Sequence, residues 1–228
     1  MDNKCFLNNE CNHIDCDKDF CMKKYKLNYL YDEALVSENQ RVSIGLMLDN
    51  DNADYLPYYQ LAQLRSNIVN FVDSGENLYI HSTIAGNGKT SWALKLLQTY
   101  FNNIWYKTSL KCRALFINVP TFLIALKTNI NNPSEYINHI NENILSCDLV
   151  IWDDIGTKVA TIFEHENLLS LIDQRINLSK SNIFTSNLNE VEMHETLGDR
   201  LASRICNLGY DIEFTGKDKR GINHARIN

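Results

Sequence analysis

The chain has 228 residues, 44% of them hydrophobic, and a formal net charge of −6. That length suits one domain of ordinary size plus an appendage, and the acidic balance argues against a protein that coats nucleic acid by bulk charge alone. No run approaches the ~20 apolar residues of a membrane span, and the amino terminus lacks the basic start and apolar core of a secretory signal, so we expect a cytoplasmic protein without a membrane span.

The first 21 residues hold four of the seven cysteines, Cys5, Cys11, Cys16 and Cys21, with His13 among them. A reducing compartment disfavours disulfides, so such a cluster predicts a metal site. Thiolate and imidazole are the ligands that Zn²⁺ prefers, and four of them close a tetrahedral structural site. We predict zinc on the four thiolates, with His13 replacing one of them as an alternative. An iron–sulfur cluster and a set of free thiols stay open as well.

A polar stretch at residues 49–54 predicts a connecting loop. We therefore divide the chain into a Cys-rich amino-terminal region and linker, residues 1–50, and a second domain, residues 51–228. Apolar residues at helical spacing between Leu56 and Val72 predict helical structure at the start of the second domain.

An apolar strand, a glycine-containing turn and an amphipathic helix follow over residues 78–101. The turn matches the second half of the phosphate-binding loop G-x-x-x-x-G-K-[ST], although Thr83 stands where the first glycine is expected. We expect a slightly altered entry to the loop and a retained site. Lys89 would reach the β and γ phosphates, and the Thr90 hydroxyl would coordinate Mg²⁺. The nucleotide-binding residues predicted here are Gly86, Asn87, Gly88, Lys89, Thr90 and Ser91.

Residues 114–119 predict a further strand, buried on both faces of a parallel sheet. Residues 148–156 contain another apolar strand. That strand ends in Asp153 and Asp154, which is the form of a Walker B element. An acid at the first position holds Mg²⁺ in P-loop ATPases, which assigns Asp153 to the metal. Asp154 follows where a base would orient the attacking water.

The last third of the chain predicts a helix over residues 161–178 and a strand over residues 182–187. Ligands of open α/β sheets bind beyond the carboxyl ends of the strands, so Asn187 would point towards a γ-phosphate. A short helix that starts at Gly198 carries Arg200 and Arg204 on one face, and residues 210–214 predict a final strand. Alternating strands and helices predict an α/β fold with a five-stranded parallel sheet.

These motifs occur together and in order, and the chain over about residues 56–220 resembles the AAA+ ATPase domain of DnaC/DnaI-type replicative helicase loaders, especially phage or mobile-element versions. The Cys-rich amino terminus is similar in kind to the zinc-binding, helicase-contacting region of DnaI-like loaders. By position, the resemblance makes Asn187 sensor 1, Arg204 the arginine finger with Arg200 as its competitor, and Arg220 the sensor 2 arginine. Since eight residues follow Arg220, it implies a domain that lacks a large C-terminal lid.

The resemblance implies an Mg²⁺-dependent ATPase whose ATP lies between neighbouring subunits of an open ring or spiral. Such an assembly engages the hexameric replicative helicase and helps to place it on single-stranded DNA. Three other functions stay open. They are the AAA+ ATPase subunit of a transposase, a P-loop kinase for small molecules, and a protein that binds the helicase and only inhibits it.

Overall fold

The computed structural model of the protein describes residue 7 and residues 21–41, 53–129, 134–157 and 161–219. One sheet of five strands lies at its centre, and every neighbouring pair of strands is parallel. The strands are β1 (Asn77–His81), β2 (Ala114–Asn118), β3 (Leu149–Asp153), β4 (Ser181–Ser186) and β5 (Tyr210–Glu213). Their spatial order is β2-β3-β4-β1-β5. The predicted α/β fold with a five-stranded parallel sheet is therefore confirmed.

Helices connect the strands and cover both faces of the sheet. They are α1 (Met22–Glu33), α2 (Tyr55–Ser66), α3 (Ile68–Asp73), α4 (Lys89–Ile104), α5 (Val119–Asn129), α6 (Glu135–Asn143), α7 (Ile162–Asn177) and α8 (Glu190–Cys206), with a short 3₁₀ turn at Glu38–Gln40. Among the described residues no helix is both long and apolar enough to cross a bilayer.

The core lies in two layers, one on each face of the sheet. On one face, Leu78 and Ile80 of β1 belong to a cluster with buried residues of α1 to α4. On the other face, Val150 and Trp152 of β3 belong to a cluster with α5 to α8. The middle strands are thus buried on both sides, which explains their nearly continuous apolar sequence.

Helix α1 packs against α4 and β2, and its Leu27 and Leu30 are almost fully buried in the first layer. It lies within residues 1–50, which the sequence assigned to a separate amino-terminal region. The boundary near residue 50 stays a prediction, because residues 42–52 lie outside the described residues.

Two helices differ from the sequence prediction. Helix α4 begins at Lys89 and not at Ser91, because the lysine and threonine of the loop form its first turn. Helix α8 begins at Glu190, eight residues before the predicted start at Gly198. Gly198 interrupts this helix with a φ of 71°, a left-handed conformation that glycine adopts without strain.

Candidate functional site

The glycine-containing loop connects the end of β1, which lies between β4 and β5, to α4. Gly86 and Gly88 have φ values of 77° and 107°, and Gly88 is the residue that precedes the first turn of α4. These left-handed conformations favour glycine. Thr83 is not among the described residues with positive φ. The missing first glycine of the motif therefore places no strain on the loop, and the backbone amides that open α4 can face an anion.

Side chains of the loop hold one another in place. The Asn87 amide donates to Ser82 Oγ at 2.6 Å, and the backbone N–H of Ile84 donates to the same hydroxyl at 3.1 Å. Lys89 Nζ donates to the carbonyl oxygen of Ile84 at 3.1 Å and to Asn87 Oδ1 at 3.3 Å. Residues of the loop thus hold the Lys89 ammonium group in place. Ser91 lies in the first turn of the same helix and is half-buried.

Asp153, at the carboxyl end of β3, joins three elements of the site. Its Oδ1 accepts a hydrogen bond from Thr90 Oγ1 of α4 at 2.8 Å and from Thr185 Oγ1 of β4 at 2.7 Å. The structure therefore brings together the two residues predicted to hold Mg²⁺. A hydroxyl and a carboxylate are oxygen ligands of the kind that Mg²⁺ takes alongside water and phosphate, so the residues fit this ion.

Asp154 follows in a left-handed conformation, with a φ of 58° that is uncommon outside glycine. Its backbone N–H donates to Thr185 Oγ1 at 3.0 Å, so the same hydroxyl fixes both acids of the pair. Partial burial and the neighbouring Asp153 raise the pKa of Asp154, and Lys89 acts in the opposite direction. Strained backbone and a raised carboxyl pKa together are typical of functional sites.

Asn187 directly follows β4, and the register pairs Ser186 of β4 with His81, the last residue of β1. Asn187 therefore lies at the edge of the sheet where the phosphate loop begins, and it is half-buried. Its placement agrees with the position expected of a γ-phosphate contact, and the role stays a prediction.

The two candidate finger arginines lie on α8 after the interruption at Gly198. Arg204 Nε donates to Asp173 Oδ1 of α7 at 2.5 Å, and 41% of the Arg204 side chain is exposed. Arg200 is exposed. The ion pair thus holds Arg204 on the surface of its own chain, beside α7.

Several predicted ligands lie outside the described residues, namely Cys5, Cys11, His13, Cys16 and Arg220. Cys21 is described, and it immediately precedes α1 and is half-buried. The zinc site and the sensor 2 arginine stay predictions.

A different group of metal-ligand types is described between α1, β2 and α6. Ligand atoms of Glu33, Cys112 and His139 all lie within 4.8 Å of one another. The ring Nε2 of His139 lies 2.8 Å from the carbonyl oxygen of Glu33, and Cys112 Sγ donates to the same oxygen at 3.5 Å. Both contacts reach the backbone carbonyl oxygen of Glu33 and not its carboxylate. Its members are distant in the chain, so no spacing in the sequence indicates it.

Sequence reasoning missed further residues at the phosphate loop. Asp54, assigned to a connecting loop, is a buried acid that precedes α2, and Thr185 is the buried hydroxyl between the two acids. Lys219, close to the predicted sensor 2 position, donates its backbone N–H to Gly86 of the loop at 3.0 Å. A polar residue directly before an apolar helix was the available signal for Asp54.

Comparisons with known proteins agree with this geometry. The family model described as IstB-like ATP binding protein matches residues 47–207. Among curated proteins, none matches the chain.

Solved structures similar to this chain include the following three. A DnaC helicase loader is 19% identical with a TM-score of 0.58, and the match covers 69% of this chain and 89% of that one. DnaI is 21% identical with a TM-score of 0.56, and the match covers 75% of this chain and 87% of that one. A protein from Streptococcus pyogenes serotype M3, described as a primosome component, is 18% identical with a TM-score of 0.60. That match covers 84% of this chain and 98% of the other. At these identities the likeness shows the fold.

Proposed function

The chain belongs to the family of IstB-like ATP-binding proteins, and from that premise we propose that it is an ATP-dependent loader of the replicative DNA helicase. In this proposal the protein binds the hexameric helicase and helps to place it on single-stranded DNA. It hydrolyses ATP with Mg²⁺ and assembles with copies of itself into an open ring or spiral.

The observation that carries the ATPase part is the junction at Asp153. Thr90 and Thr185 both donate to one oxygen of this carboxylate, from 2.8 and 2.7 Å, so the phosphate loop and two strands meet at a single acid. Support for the loader part comes from the similarity to the DnaC helicase loader and to DnaI over most of the length of those chains.

In this proposal each residue of the site has a separate role in ATP hydrolysis. Lys89 and the backbone amides at the start of α4 offer positive charge to the phosphates. Thr90 and Asp153 would hold Mg²⁺, which neutralises charge on the phosphate oxygens when bound. The carboxylate of Asp154 would orient the attacking water, and Asn187 would contact the γ-phosphate from the end of β4.

Arg204 would complete the site of a neighbouring subunit. Its side chain is 41% exposed, so a second copy of the chain can reach it. Its partly buried ion pair with Asp173 would have to open for that role. Arg200, exposed on the same helix, is the competing finger. The cysteine cluster would bind zinc and carry the contact with the helicase.

Co-purification with the host replicative helicase tests the proposal. We expect the full chain to retain the hexameric helicase and, with ATP, to transfer it onto single-stranded DNA. Lys89→Ala, which removes the cation from the loop, should abolish hydrolysis and transfer. A chain that retains the helicase but never transfers it is an inhibitor. A chain that ignores the helicase and retains a transposase belongs to the alternative class.

A further inference from the structure

We propose that Asp54 is a positioning residue for the phosphate loop. It acts through the segment after β5, residues 214–219, which we term the strap. Through the strap, Asp54 would set the orientation of one peptide group in the loop and therefore the affinity for nucleotide. This inference rests on the proposed binding of ATP at that loop and not on helicase loading.

Asp54 is almost completely buried, with 1% of its surface exposed. Its Oδ1 accepts hydrogen bonds from the backbone N–H groups of Thr215 at 2.9 Å and Gly216 at 2.8 Å. A Cβ on Gly216 would lie 2.1 Å from Asp54 Oδ2, so only glycine permits this approach. A buried carboxylate is costly unless it is hydrogen-bonded, and here the strap supplies the donors.

Lys219, at the end of the strap, makes both a charged contact and a backbone contact. Its ammonium group lies 3.4 Å from Asp54 Oδ2 and 2.9 Å from the Tyr58 hydroxyl. Its backbone N–H donates to the carbonyl oxygen of Gly86 at 3.0 Å. Tyr58 in turn packs edge-on against Trp92 of α4. Asp54 therefore holds the strap at its beginning and at its end, and the strap's last described residue bonds to the loop.

The bond to Gly86 has a consequence for the next residue. In a planar trans peptide the C=O and the following N–H point in opposite directions. Because the Gly86 carbonyl oxygen accepts from Lys219 of the strap, the Asn87 N–H points away from the strap. Gly86 has a φ of 77° and can adopt many other conformations. The strap therefore restricts the peptide group between Gly86 and Asn87 to one orientation, in which the Asn87 N–H can donate to a phosphate.

Two substitutions at Lys219 separate the backbone contact from the charge. Lys219→Pro and Lys219→Met both remove the ammonium group, but only proline also removes the N–H that bonds to Gly86. We measure the Kd for ADP by calorimetry and record the Asn87 amide resonance by NMR in the full chain. We expect the proline variant to bind ADP about tenfold more weakly, and the methionine variant less than about threefold more weakly.

Asp54→Ala is the second test, because it removes both oxygens that hold the strap and leaves residue 219 unchanged. It should weaken ADP binding about tenfold and shift the Asn87 amide resonance in the same direction as Lys219→Pro. Asp32→Ala is the control, since it removes an exposed carboxylate that pairs with Arg41, a residue outside the strap. It should leave both readouts unchanged.

The outcomes are distinct. If the wild-type chain does not bind ADP, the proposed function fails. If it binds ADP and all four variants bind it equally well, the inference alone is wrong. It is also wrong if the proline and methionine variants lose affinity equally while the Asn87 amide resonance stays in place, because the charge and not the peptide orientation then matters.

Discussion

Replacing Thr185 by valine should damage the site more than its small chemical change suggests. The Thr185 hydroxyl is fully buried. It donates to Asp153 at 2.7 Å and accepts from the backbone N–H of Asp154 at 3.0 Å. Valine keeps the volume of threonine and its branched shape but makes neither bond.

The magnitude follows from the partners that are left behind. The Asp154 N–H loses its acceptor, and Asp153 keeps Thr90 as a donor but loses the second. Each buried group left without a partner costs about 1–3 kcal/mol, so the free energy of unfolding should fall by about 2–4 kcal/mol. Hydrolysis should slow by about ten- to a hundredfold, because the backbone that aims Asp154 is no longer fixed.

Thr185→Ser is the matched control, since it keeps the hydroxyl and loses one methyl group, at about 1 kcal/mol. Urea unfolding and ATP turnover at saturating nucleotide measure both effects in the two variants. If serine is as slow and as unstable as valine, packing at this position matters and the hydroxyl does not.

Three further variants test the water-orienting acid, the cap of α7 and the cysteine cluster. Asp154→Asn should retain nucleotide but slow hydrolysis by about 10²–10⁴. The same variant should be more stable than the wild type to urea at pH 7, because a carboxyl group whose pKa is raised on folding lowers stability once it is ionised. This gain in stability should vanish below the unfolded pKa of about 3.9. Thr161→Ala should cost about 1 kcal/mol in the same assay by removing the cap of α7. Burial alone would raise the pKa of Glu164, but hydrogen bonds from Thr161 and the ammonium group of Lys127 together lower it to about 2, so this cost should be largest above pH 4.5 and decline as the pH falls towards 2. Replacing Cys16 and Cys21 by serine should release about one Zn²⁺ per chain and abolish helicase binding while the ATPase domain still folds, and elemental analysis of the purified protein checks the first part; a metal-free wild-type chain that binds helicase at full strength contradicts it.

The strands and the nucleotide loop could be predicted because their signals are local. Continuous apolar runs mark the middle strands, and Gly86 and Lys89 lie within a few residues of one another. Asp153 could be paired with Thr90 only because each belongs to a known motif. The fold then brings the two together from 63 positions apart.

The contacts around Asp54 could not be predicted in this way. Asp54 lies 161 to 165 positions from its partners in the strap, and neither segment has a motif that indicates the other. The first half of α8 did carry a local signal. Asn189 and Glu192 form a capping box, with the Asn189 side chain accepting from the Glu192 N–H at 2.9 Å, and that pattern indicates a helix that begins at Glu190.

In the proposed mechanism the ATP site is shared between subunits, and the role of Arg204 depends on this. Arg204→Ala should leave ATP binding nearly intact but remove the hydrolysis that assembly stimulates, since an arginine supplied in trans contributes about 10³–10⁵ in turnover. Lys89→Ala should be inactive because its own phosphate loop lacks the cation.

Mixing Lys89→Ala with Arg204→Ala is the direct measurement. A mixed assembly contains interfaces at which an intact Lys89 faces an intact Arg204 of the neighbour, so ATP hydrolysis should partly return. If the two variants co-assemble and no activity returns, Arg204 acts within its own chain or only as the surface partner of Asp173, and the shared site is contradicted.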